Sequence, residues 1–203
     1  METKFAKVIS VIFQPLLIPT YGFIILFSLT AFFSLAISPS AKWMIMGIVF
    51  LTTFLFPALM IIFLLRMGVI SSLNLRNRQE RVLPFLIAGT FYYLAYYMLK
   101  QLQISPIYNY FMIGTTLVII VSMIINFFWK ISIHMISLGG LLGAFLGLSF
   151  VMMIDMTPLL ILIVFVSGLV GFSRLRLKAH TPPQVYSGFI AGLLVMLSLF
   201  IFL

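Results

Sequence analysis

Seven long apolar runs, at about 11–37, 43–65, 82–100, 106–128, 132–153, 157–172 and 185–203, take up most of the chain. All but the sixth approach or exceed the roughly 20 residues that a helix needs to cross the hydrocarbon core of a bilayer. Inside that core every backbone N–H and C=O must be satisfied within the protein, which leaves helices and closed barrels. The runs lack the two-residue alternation of a barrel strand, so helices are expected. Only 7% of the 203 residues are charged, against about 25% in a soluble domain. So few charges cannot build an aqueous surface. The expected fold is an all-α polytopic transmembrane helical bundle of six to seven spans. It forms a single integral membrane domain over residues 1–203, with the lipid bilayer as its surroundings.

The basic start, Met1-Glu2-Thr3-Lys4-Phe5-Ala6-Lys7, runs into apolar sequence with no small-x-small cleavage site, so residues 8–37 are expected to be a retained first span. Without cysteine there is neither a disulfide framework nor a thiolate metal site. Pro15, Pro19 and Pro57 lie inside apolar runs, where they are expected to kink helices and leave carbonyls for neighbours to satisfy. The aromatic run Phe91-Tyr92-Tyr93 with Tyr96-Tyr97 reads as an interfacial belt or bundle packing.

The formal net charge is +9. A basic excess suits nucleic acid, anionic headgroups or phosphate chemistry, and without a soluble domain no nucleic-acid partner is expected. Seven spans put alternate loops on opposite faces. One of them, face A, gathers Lys4, Lys7, Arg66, Arg76, Arg78, Arg81, Lys130, Arg174, Arg176 and Lys178. Face B has Lys42 and Lys100. The positive-inside rule explains the bias by making face A cytoplasmic. An anion site on face A explains it too, and both can hold.

Both histidines fall on face A. His134 sits in Lys130-Ile131-Ser132-Ile133-His134, where a span begins, and His180 closes Ser173-Arg174-Leu175-Arg176-Leu177-Lys178-Ala179-His180 before the last span. Arg78 and Arg81, three residues apart, would share a face of a helix. Ionisable groups converging at a membrane boundary point to a functional site. Guanidiniums hold phosphate oxygens in bidentate pairs. One neutral imidazole can attack phosphorus while a second gives a proton to the departing alkoxide. Two histidines and three scattered carboxylates do not form a ligand cluster, so no metal and no cofactor are expected.

Ser173-Arg174-x5-His180, preceded by Ser132-x-His134 and a basic cluster ending at Arg81, resembles the type 2 phosphatidic acid phosphatase superfamily. That family's motifs run Lys-x6-Arg-Pro, Pro-Ser-Gly-His and Ser-Arg-x5-His-x3-Asp. The resemblance covers about residues 74–190, and it implies a phosphatase-like core over about 74–203. It implies that His180 forms a phosphohistidine and that His134 is the general acid. It also implies that Arg174 and Arg81 clamp phosphate oxygens and that Ser132 donates to one, with Ser173 beside them. Arg78, from helix spacing, and Lys130, from proximity, are additions to that set. The chain departs from the pattern at Ile131 and Ile133, at Asn74, at Pro84 and at Gln184, which stands where the family has aspartate.

Gln184 has two compatible readings. It can accept the imidazole N–H of His180 and fix its tautomer, or close a capping box with Thr181 as N-cap and proline at the first helical position. Gly139, Gly143 and Gly147 recur every four residues, as do Gly188 and Gly192. Such spacing lets membrane helices approach closely, and pairing these two spans would bring the histidines to one site. The expected function is hydrolysis of a lipid phosphomonoester or diphosphate by a metal-independent membrane enzyme, in a bacterial inner membrane. The alternative is a phospholipid-binding or transport protein on the same scaffold.

Overall fold

The computed structural model describes residues 2–73, 75 and 77–202. Asn74 and Arg76 lie outside them. No strand occurs among the described residues. Seven stretches are long and apolar enough to cross a membrane: Glu2–Ser28, Pro39–Arg66, Gln79–Lys100, Pro106–Phe128, Ile133–Met152, Thr157–Arg176 and Pro182–Ile201. The chain is thus an all-α integral membrane protein. Exposed Phe165, Ile161 and Phe150 are what helices bathed in lipid present outward.

The helices are α1 (Glu2–Ile12), α2 (Ile18–Ser28), α3 (Phe32–Leu35), α4 (Pro39–Phe50), α5 (Phe56–Arg66), α6 (Val82–Lys100), α7 (Pro106–Phe128), α8 (Ile133–Met152), α9 (Thr157–Arg176) and α10 (Pro182–Ile201). Several boundaries differ from the sequence expectation, two of them for a visible local reason. The first span ends at Ser28 rather than near 37, because the chain turns there into the short α3. Ser34 Oγ donates to the Phe27 carbonyl (2.8 Å), and Lys42 Nζ donates to that carbonyl (3.3 Å) and to Ser34 Oγ (3.0 Å). The helix of the sixth span, α9, runs on to Arg176 instead of stopping at 172. Arg174 and Arg176 occupy its last turn, where cations oppose the negative end of the helix dipole.

The chain divides into two compact units. One holds Leu16–Ile120, the other Met1–Pro15 with Val121–Leu203. The core of the Leu16–Ile120 unit is aromatic: Phe23 stacks near Tyr108 and Phe111, and Gly22 lies flush against the Phe111 ring, leaving no room for a side chain. Its helix α4 passes into α5 through a π-helical turn, Leu51–Leu55. Pro57, just beyond, has no N–H to give the preceding turn, and a widened turn is one way to absorb that loss.

In the other unit, α8 and α10 run side by side in the same direction. A Cβ on Gly139 would strike the Phe189 carbonyl, on Gly143 that of Leu193, and on Gly192 that of Ile136; on Gly147 it would lie 2.6 Å from Phe200 Cβ. The two glycine series therefore do what their spacing predicts, bringing backbone against backbone. α9 packs on this pair and α1 packs in turn on α9, with Glu2 ion-paired to Arg176. At the far end of α9, hydrogen bonds from the hydroxyl and N–H of Thr157 hold the exposed Asp155 carboxyl below the usual carboxylate range. With seven spans, a cysteine placed at Thr3 and one at the C-terminus should label from opposite sides of sealed vesicles. Labelling of both from one side would mean an even number of crossings.

Candidate functional site

Three helices meet around one glycine. A Cβ at Gly171 of α9 would touch Val185 Cγ1 of α10 at 3.5 Å and Met135 Sδ of α8 at 3.6 Å. α8 and α10 begin near this level and α9 ends near it. One turn further toward those ends come Arg174 from α9, Ser132 from the start of α8 and the first turn of α10. The backbone ties two of these together directly: the Ser132 N–H donates to the Gln184 carbonyl at 3.2 Å.

His180 precedes α10 and is half-buried. Its Nδ1 lies 3.1 Å from Gln184 Oε1, and the Thr181 backbone N–H donates to that same oxygen at 3.2 Å. The amide's orientation follows, because a backbone N–H can only donate and so must face oxygen. An oxygen facing Nδ1 requires the hydrogen to sit on Nδ1. The neutral ring then carries its lone pair on Nε2. Gln184 thus makes its capping contact and its histidine contact with a single atom.

His134, in the first turn of α8, is placed differently. Its Nε2 lies 3.1 Å from the carbonyl oxygen of Ser10, in α1. Ser132 lies against Gly188, since a Cβ there would be 3.0 Å from the Ser132 oxygen. α10 itself starts at Pro182. With Ser132 also bonded to Gln184, α8 begins about one helical turn, roughly 5 Å, further along the pair than α10 does. His134 therefore lies deeper than His180. Trp129, Lys130, Ile131 and Ser132 form a non-helical junction that covers the difference, with Ile131 and Ser132 buried.

The remaining polar groups divide into those with partners and those without. The Ser173 hydroxyl is fully buried and donates to the Leu169 carbonyl of its own helix (2.8 Å), so its hydrogen is committed locally. Arg174 Nε and the hydroxyls of Ser10, Ser132 and Ser187 are buried with no hydrogen-bond partner among the described residues. An unsatisfied buried donor costs about 1–3 kcal/mol. Four of them at one end of a helix bundle make that end chemically receptive to an acceptor such as an anion.

The upstream arginines belong to the Leu16–Ile120 unit. They do not behave as two residues of one helical face. Gln79–Arg81 is a single 3-10 turn, with Arg78 exposed before it and Arg81 buried. Arg81 Nε donates to the Leu75 carbonyl at 2.9 Å, and in the same loop Glu80 accepts from the N–H and hydroxyl of Ser71. Among the described residues no three His, Asp or Glu side chains gather as a metal-ligand group. Sequence reasoning missed Ser10. Its one visible signal is Pro15 inside the first apolar run.

No family model matches the chain, and no curated protein or solved structure shows significant similarity to it.

Proposed function

We propose that the chain is a membrane-embedded lipid phosphatase that cleaves a phosphomonoester or diphosphate of a lipid through a phosphohistidine on His180. The observation that carries this reading is the bond from His180 Nδ1 to Gln184 Oε1, which leaves the Nε2 lone pair as the nucleophile. Arg174 and Ser132 supply unsatisfied donors at the same end of these helices. The N-terminus of α10, which opens straight after His180, offers an anion the positive end of the helix dipole but no N–H, since Pro182 and Pro183 have none and those of Thr181 and Gln184 close the capping box. In-line transfer needs nucleophile and proton donor on opposite sides of phosphorus, their nitrogens about 8 Å apart. On this reading the membrane is a bacterial inner membrane, the headgroup enters at face A, and the acyl or isoprenyl chains stay in lipid.

The test is phosphate release in detergent from phosphatidic acid, phosphatidylglycerol phosphate and an isoprenyl diphosphate. Release from at least one is expected; none from any would remove the enzymatic reading. One observation favours a second reading, a phospholipid-binding protein without turnover. The acceptor on His180 is a neutral amide, which orients the ring but stabilises an imidazolium less than a carboxylate does. Gln184→Glu, and the shorter Gln184→Asp, should separate the two. In an enzyme the added charge should raise kcat about tenfold, the difference between a neutral and a charge-assisted hydrogen bond. In a binding protein both variants should leave hydrolysis at background while phospholipid still copurifies.

A further inference from the structure

The first span breaks where its sequence requires. α1 ends at Ile12, and Pro15 has no N–H to offer the Val11 carbonyl. The Gln14 N–H would bond the Ser10 carbonyl in a continued helix; instead it bonds Val11 at 3.3 Å. Ser10 thereby loses its helical donor, and His134 Nε2 takes the place at 3.1 Å. A carbonyl can only accept, so Nε2 carries hydrogen. Any proton that His134 exchanges with a reacting group must pass through Nδ1.

We infer that the break in the first span exists to position His134, with the Ser10 carbonyl as its orienting partner and Nδ1 as its working nitrogen. This inference rests on the phosphatase reading. In the first half-reaction His180 Nε2 forms a bond to phosphorus as the bond from phosphorus to the lipid oxygen breaks. That oxygen takes the Nδ1 proton of a His134 imidazolium and leaves as the alcohol. The neutral ring that remains holds its hydrogen on Nε2, the tautomer that the Ser10 carbonyl selects, so one hydrogen bond persists through both protonation states. In the second half-reaction Nδ1 takes a proton from water as its oxygen attacks phosphorus, the P–N bond breaks, and phosphate departs. Ser10 is thus a positioning residue and His134 a catalytic one.

Pro15→Ala tests the positioning. It restores an N–H for Val11, freeing Gln14 to bond Ser10 and compete with His134. On an alkyl phosphate, kcat should fall by about 10²-fold with KM unchanged, while p-nitrophenyl phosphate, whose leaving group needs no proton, should stay within about twofold. Equal losses on both substrates would overturn the proposal. A melting comparison on the full chain needs no turnover. The amide nitrogen of His134→Gln lies where Nε2 lay and can still reach Ser10; that of His134→Asn lies at Nδ1 and cannot. His134→Asn should melt lower than His134→Gln, and the gap should vanish in the Pro15→Ala background. Equal melting of the two in the natural background would show that the bond to Ser10 contributes nothing. Failure of the unaltered protein to hydrolyse either ester sinks the site reading and the proton route with it, while the melting comparison decides the anchor by itself.

Discussion

His180→Ala should abolish phosphate release and remove any acid-labile, base-stable phosphate trapped on the quenched protein. No other side chain in Ser173–Gln184 can accept a phosphoryl group at neutral pH. Ser173 has its hydroxyl hydrogen on Leu169, and Gln184 is an amide already holding two donors. The loss should therefore be complete, in contrast with His134→Ala. Removing general acid help slows turnover by about 10²- to 10⁴-fold and is partly recovered on substrates with good leaving groups. Folding is the control. The loss is scored only on His180→Ala protein that melts within a few degrees of the unaltered chain, with the Thr181 N–H still holding Gln184 Oε1. A well-folded His180→Ala protein with robust activity, contaminating phosphatase excluded, would end the phosphohistidine proposal.

The second large effect is on stability. Gly192→Leu should unfold the unit built around α8 and α10. Even its Cβ would coincide with the Ile136 carbonyl and come within 2.8 Å of the Gly140 nitrogen. These are backbone atoms of a packed helix and cannot swing aside as the end of a side chain can. The two helices must separate along their length, undoing the Gly139 and Gly143 contacts as well. Overpacking by a few methylenes alone costs about 1–3 kcal/mol, and separating the pair adds lost contact. A melting temperature lower by about 10 °C or more is expected, at a few degrees per kcal/mol. Gly168→Ala is the matched control: nothing lies within 4 Å of its Cβ, and alanine is the better helix former. It should be neutral or mildly stabilising. Similar losses at Gly168 and Gly192 would mean that helix packing is not what the glycines serve.

How far the sequence foretells this arrangement depends on whether a feature resides in side chains. The seven spans are legible because lipid demands long apolar helices. The pairing of α8 with α10 is legible because only glycine permits that approach, and it recurs every fourth residue. Gln184 is legible in both roles, since Thr181-Pro182-Pro183-Gln184 spells a cap and the offset from His180 spells a partner. Ser10 is not legible. Its contribution is a backbone carbonyl, which every residue possesses, and its selection depends on Pro15 five positions later. Ser173 and Arg174 look like loop residues because Arg174, Arg176 and Lys178 end the apolar run, whereas the helix dipole lets α9 continue through the first two. Arg78 and Arg81 part company for a local reason: Arg81 is buried with its Nε on the Leu75 carbonyl, while Arg78 stays exposed, and a spacing of three cannot foretell which side chain turns inward.

The Met1–Pro15 and Val121–Leu203 unit draws on segments more than a hundred residues apart in the chain. Its order of assembly during synthesis is therefore constrained. α1 leaves the ribosome early, with its Ser10 carbonyl stripped of a helical donor by the break before Pro15, and must wait for α8 to supply His134. α8 in turn exposes a glycine face that only α10 can cover. Translocation machinery or a chaperone would have to shelter both until the last helix emerges. A chain stalled before Pro182 would then present an unfilled groove along α8 and an uncapped helix end within the bilayer. Membrane quality control would meet both defects in such a chain.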